Sequence, residues 1–235
     1  MTKLSLIVMV CALLAMPSKT FAQTEQEQRI KASYILAFGT NATQSEVDYW
    51  KTRGNLSISQ LLEMHRQYFS TNPNMQKQVI GRSYVDAFGR WPSTGEIDYY
   101  MKGKANYTEL MKGHMQWLSG NPGEYVESIK RSYQKVFNRQ PSQAEINYWK
   151  QYNLANFMLI TYHNEYKSKT AGSSMTVNMS ASPYARSVPV SASVAKEAMT
   201  AANIVAQGAG NIVAQGAGNI VAQGAGNVVA AGGLN

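Results

Sequence analysis

Cysteine is almost missing from this 235-residue chain: Cys11 is the only one, and it lies inside an apolar N-terminal run. Disulfide frameworks and thiolate chemistry are therefore excluded beyond that run, and stability must come from core packing. No apolar stretch reaches the ~18 residues that a membrane-spanning helix needs. No basic run is longer than Lys130-Arg131, so no tract is marked for specific nucleic-acid binding. A glycine-rich turn between a strand pattern and a helix pattern is also lacking, which removes the usual phosphate cradle. From Asn203 onward there is no charge, no proline and no aromatic residue.

What the N-terminus does contain reads as an address. Lys3 supplies a positive start, Leu4 to Met16 is apolar, and Thr20-Phe21-Ala22 ends in the small residue expected at a cleavage site. The expectation is a signal peptide over residues 1–22, leaving a secreted, periplasmic or cell-surface protein with no transmembrane segment. Cleavage removes Lys3 and Lys19 and no acid, so the formal charge falls from +8 to +6. That excess favours anionic glycan or cell envelope as a partner, although charges spread over helix faces have the same effect on composition.

The body of the chain is a repeat. Ile30-Tyr34-Phe38, Ile80-Tyr84-Phe88 and Ile129-Tyr133-Phe137 recur at spacings of 50 and 49 residues. Four-residue steps place each triplet on one helical stripe. Gly39, Gly89 and Asn138 follow the Phe, as residues that tolerate a left-handed helix stop. Next come Thr43, Ser93 and Ser142, each three residues before Glu46, Glu96 and Glu145, the spacing of a capping box. Val47 with Trp50, Ile97 with Tyr100, and Ile146 with Trp149 give this second helix its apolar face. A third helix carries Leu61, Leu110 and Leu159, and Asn72-Pro73 and Asn121-Pro122 end two of its copies.

The expected fold is all-α. Three tandem three-helix repeats over 24–168 (about 28–73, 78–122 and 127–168) pack as one helical domain, because a unit of ~50 residues buries too little surface alone. A disordered, extended Ser/Ala/Pro-rich linker is expected over 169–202, followed by a low-complexity tail over 203–235.

The stretch Tyr84-Val85-Asp86-Ala87-Phe88-Gly89-Arg90-Trp91-Pro92 with Gly95 and Tyr99-Tyr100, and its counterpart from Tyr133 to Trp149, resemble the domain of unknown function numbered 4214. The first copy departs by carrying Thr40 and Ala42 in place of Arg and Pro, and the third by Asn138 and Ala144 in place of Gly. The resemblance implies a bacterial exported or surface protein, and implies location more than mechanism.

Few residues are candidates for chemistry. His65, His114 and His163 recur once per unit, three residues before an aromatic and four after a stripe leucine. They would form a metal site only if the units closed around a threefold axis, and packed histidines are the simpler reading. Glu46, Glu96 and Glu145 are spent on caps, so no convergent carboxylate pair points to acid–base catalysis. The chain is read as no enzyme, with no cofactor. Tyr49, Tyr99 and Tyr148, next to an inward aromatic, are candidates for a ligand-facing row, together with Arg90 and Arg139.

The tail repeats the octad Asn-Ile-Val-Ala-Gln-Gly-Ala-Gly three times from Asn203, then degenerates from Asn227. An even period puts the same four residue types on each face of an extended strand in every copy, a pattern that favours strand stacking. A flexible tail and a self-associating tail both fit. The function expected is adhesion or scaffolding at the surface or in extracellular matrix. Binding of anionic polysaccharide is the alternative, and metal-dependent catalysis a remote third.

Overall fold

The structure, a computed structural model, describes residues 18–170, 187–189, 191–205, 212–215 and 219–222. The apolar run with Cys11, most of the linker, and much of the octad tail lie outside the described residues. Over 18–170 the chain is all-α, as its periodicity requires. Nine helices fall into three units: α1 (Ser18–Phe38), α2 (Gln44–Lys51) and α3 (Ile58–Thr71); α4 (Pro73–Phe88), α5 (Thr94–Met101) and α6 (Tyr107–Gly120); α7 (Pro122–Phe137), α8 (Gln143–Lys150) and α9 (Asn156–Thr170).

The local signals decide the boundaries. Gly39, Gly89 and Asn138 all have positive φ, +63°, +72° and +54°, and turn the chain out of the first helix of each unit. Thr43, Ser93 and Ser142 then form full capping boxes, their backbone N–H groups donating to Glu46, Glu96 and Glu145 at 2.7 Å. The third helices of units 1 and 2 have capping boxes of their own, Ser57 with Gln60 and Asn106 with Glu109.

Neighbouring units interlock in the same way twice. The third helix of one unit packs on the first helix of the unit before it, α6 on α1 and α9 on α4. The approach is so close that a Cβ on Gly39 would lie 2.5 Å from the Tyr107 ring, and one on Gly89 2.6 Å from the Asn156 side chain. Arginines fix the register. Arg82 donates to the Phe38 carbonyl, and Arg131 donates to that of Phe88 at 2.9 Å, closing open helix ends with positive charge. Ala32 stands at this position in unit 1, the first of the three described units. The result is one continuous core in which Ile30, Ile80 and Ile129 are all buried.

The linker differs from the extended segment expected over 169–202. Helix α10 (Ala192–Val205) begins within it, runs three residues into the expected tail, and docks on α1 and α3. Val194, Ala198 and Ala201 are buried at helical spacing. Glu197 accepts from Arg29 Nε and from the backbone N–H of Ile58, both at 2.7 Å. Since α6 rests on α1 and α9 on α4, α3 would be left without a preceding first helix; α10 fills that place and caps the array. Three short strands accompany it: β1 (Ser187–Pro189), β2 (Ile212–Gln215) and β3 (Asn219–Ala222), antiparallel in the order β1-β3-β2.

Two glycines should respond oppositely to alanine. Gly89→Ala, strained and clashing with Asn156, is expected to lose more than about 1 kcal/mol of stability. Gly113→Ala, in α6 with open space around it, should gain about 0.5–1 kcal/mol. Glu197→Ala should cost about 1–3 kcal/mol by leaving the Ile58 N–H and Arg29 without this partner. Urea unfolding of the three variants checks the order.

Candidate functional site

Each unit is built around one buried histidine. His65, His114 and His163 lie within their units at 2 % exposure or less, and each Nε2 is 3.0 Å from the hydroxyl of Ser33, Ser83 or Ser132 on the unit's first helix. The serine hydroxyl has a single hydrogen, which it donates to the carbonyl of Ile30, Ile80 or Ile129 at 2.7–2.8 Å. The imidazole must then donate through Nε2–H, which fixes the neutral tautomer from the network. In unit 2 the Tyr100 hydroxyl lies 3.4 Å from the remaining nitrogen of His114.

Aromatic rings enclose the pair. Around His65 stand Tyr34, Phe38 and Trp50, edge-on at 4.8, 4.8 and 5.1 Å between centroids. Tyr84, Phe88 and Tyr100 surround His114 similarly, as do Tyr133, Phe137 and Trp149 around His163. The indoles of Trp50 and Trp149 donate to the hydroxyls of Tyr34 and Tyr133 at 3.0 Å. Burial pushes the histidines far below their ordinary value, to about 3 for His65 and His114 and about 4 for His163.

A serine next to a histidine invites comparison with a nucleophile and its base. Here the serine proton is tied to a helix carbonyl and the hydroxyl is fully buried, so no substrate carbonyl can reach it. The three histidines face separate serines, and among the described residues no group of three His, Cys, Asp or Glu side chains is arranged to hold a metal. Their repetition is explained by packing. The serines are what sequence reading missed, although Ser33-Tyr34, Ser83-Tyr84 and Ser132-Tyr133 repeat as strictly as the histidines.

The surface over each box carries the other candidates. Tyr49, Tyr99 and Tyr148 are 50 %, 68 % and 53 % exposed, while Trp50 beside Tyr49 is buried. Each of these tyrosines stands edge-on to its inward neighbour, at 5.4, 5.0 and 5.1 Å. Arg90 and Arg139 are each paired with a carboxylate of their own unit. Arg90 donates to both oxygens of Glu96 at 2.9 and 2.7 Å, and Arg139 to both oxygens of Glu145 at 2.9 and 2.6 Å. These arginines hold both carboxyls down to about 2. Clefts open here in units 1 and 2, of about 710 and 520 Å³. The first is lined by Tyr34, Phe38, Glu46, Tyr49 and Tyr68, the second by Tyr84, Phe88, Arg90, Glu96, Tyr99 and Trp117.

No family model matches the chain, and neither a curated protein nor a solved structure matches it.

The buried imidazoles make stability depend on pH. Unfolded, each takes up a proton near its ordinary 6.5; folded, it stays neutral down to about 3 or 4. Their contribution is complete above pH 6.5 and is lost as pH falls through that window. The slope should approach about 1.4 kcal/mol per pH unit for each histidine. Urea unfolding between pH 7.5 and 5.5, above the range where the unfolded carboxyls titrate, should show proton uptake on unfolding rising toward nearly three. A flat profile would contradict the buried neutral histidines.

Proposed function

We propose that this chain is an exported, noncatalytic adhesion or scaffolding protein. In this reading the helical array is the rigid body and the octad tail the self-associating part. One observation carries it: successive octads pair with each other as strands. β2 and β3 run antiparallel, with Val213 opposite Val221 and Gln215 opposite Asn219, and β2 is an outer strand of the sheet. An outer strand offers unpaired backbone groups to another strand, and the tail supplies repeated copies of the same sequence without gatekeeping charges. The sealed serine–histidine pairs and the engaged arginines also favour a noncatalytic role. Among the described residues no helix is long and apolar enough to cross a membrane.

A second reading, a binding module, is favoured by the open clefts and the exposed Tyr49, Tyr99 and Tyr148. Anionic polysaccharide, the ligand suggested by the net charge, loses its two best-placed cations to Glu96 and Glu145. A metal-dependent enzyme has the least support.

The scaffold reading is tested by comparing the chain with a version ending at residue 205. Sedimentation should show concentration-dependent association only with the tail present, and aggregates should give the ~4.7 Å strand spacing in fibre diffraction. Persistence of the full chain as a monomer at its solubility limit would sink it.

A further inference from the structure

Units 2 and 3 each place an arginine of their own over their aromatic pair, and unit 1 does not; the arginine that lines the unit 1 cleft is Arg82, from the next unit. Arg90 lies over Tyr84 and Phe88, 5.3 and 5.6 Å from the ring centroids, while gripping both oxygens of Glu96. Arg139 repeats this over Tyr133 and Phe137 at 5.2 and 5.6 Å, with Glu145 as its partner. The same position in unit 1 is Thr40.

The two rings and the capping carboxylate that receive the guanidinium are nevertheless kept, although Glu124, 3.5 Å from Arg90, has Met75 as its counterpart at the unit 1 cleft. Tyr34 and Phe38 stand 5.1 Å apart and tilted by 45°, against 5.0 Å and 47° for Tyr84 and Phe88, and 5.2 Å and 46° for Tyr133 and Phe137. Glu46 is held by the backbone and hydroxyl of Thr43 at 2.7 Å, as Glu96 is held by Ser93 at 2.7 and 2.8 Å. Among the described residues Glu46 has no ion pair, whereas Glu96 and Glu145 both do. The unit 1 cleft is correspondingly the larger, about 710 against 520 Å³.

Neighbouring cations in unit 1 have other places. Arg82 donates to the Phe38 carbonyl, the role that Arg131 plays at Phe88. The Phe88 carbonyl of unit 2 accepts from Arg131 of unit 3 while Arg90 grips Glu96, so the first does not substitute for the second. Arg53 lies over Tyr49 and donates to its hydroxyl.

We propose that the unit 1 cleft binds the guanidinium of an arginine side chain presented by a polypeptide, with Glu46 as the bidentate acceptor and Tyr34 and Phe38 as the faces beneath it. A carboxylate without an ion pair beside aromatic faces suits a planar fork of N–H donors better than a compact ammonium. A peptide arginine, unlike the free amino acid, brings no α-carboxylate toward Glu46. This inference rests on the binding-module reading and is independent of the tail.

The test is titration of the full chain with N-acetyl-arginine amide, followed by the fluorescence of the tryptophans, of which Trp50 lines this cleft, and by proton NMR of the aromatic rings. One saturable, weak site is expected, with Kd on the order of millimolar. Thr40→Arg, which supplies the missing side chain internally, should weaken binding at least about tenfold. Glu46→Gln should do the same with its cap intact, since Gln60 shows that Gln completes a capping box in this fold. Arg90→Thr should open a second site and double the stoichiometry. N-acetyl-lysine amide should bind more weakly than the arginine probe. Absence of saturable binding, or binding unchanged in both unit 1 variants, overturns the assignment. Equal or tighter binding of free arginine overturns the polypeptide as its source. The binding-module reading fails on a different result, namely that alanine at Tyr49, Tyr99 and Tyr148 changes no ligand response of the chain.

Discussion

The hydrogen bond between a buried serine and a buried histidine is the contact on which each unit depends. It joins the first helix to the third through two fully buried side chains. Because the serine also donates to the helix carbonyl three residues earlier, the bond has a single workable direction and the imidazole a single tautomer. A polar pair of this kind contributes modest net stability when satisfied and a large penalty when broken. It therefore specifies how the helices meet more than how tightly. The rings of Tyr34, Phe38 and Trp50, and their counterparts, then have a fixed object to pack around.

The contacts between units follow from the ends of the same helices. A left-handed Gly or Asn stops the first helix, its exposed carbonyls attract an arginine from the next unit, and the absence of a Cβ at Gly39 and Gly89 lets the next third helix come close. The outer Arg–Glu pairs are a further layer on this frame. They occupy the carboxylates of Glu96 and Glu145 with internal charge, while among the described residues Glu46 has no ion pair.

Local chemistry was legible in the sequence and long-range pairing was not. Thr43 with Glu46, or Ser93 with Glu96, announces a helix start because both partners sit three residues apart. Which member of Tyr49-Trp50 turns inward also followed from the stripe beginning at Val47. The partner of His65, by contrast, lies 32 residues earlier, and nothing local links Ser33 to it, although its repetition three times over was a signal. The ion pairs of Arg90 and Arg139 span six residues across a loop, and a loop's path is not written in periodicity. Helix α10 escaped for another reason: its buried face is Val194, Ala198 and Ala201, too small a set of apolar side chains to stand out from a Ser- and Ala-rich linker.

That helix has a consequence for the order in which the molecule is completed. The bond between Glu197 and Arg29 joins residues 168 positions apart, so it is among the last contacts that a chain made from its N-terminus can form. Units 1 to 3 stack on each other as they emerge, but the outer side of α1 and α3 waits uncovered until residue 205 is free. Closing so long a loop is slow relative to the local helix contacts. The array is thus finished at its beginning by its end, and until then the first unit offers a helix-binding face to any chain nearby, including another copy of itself.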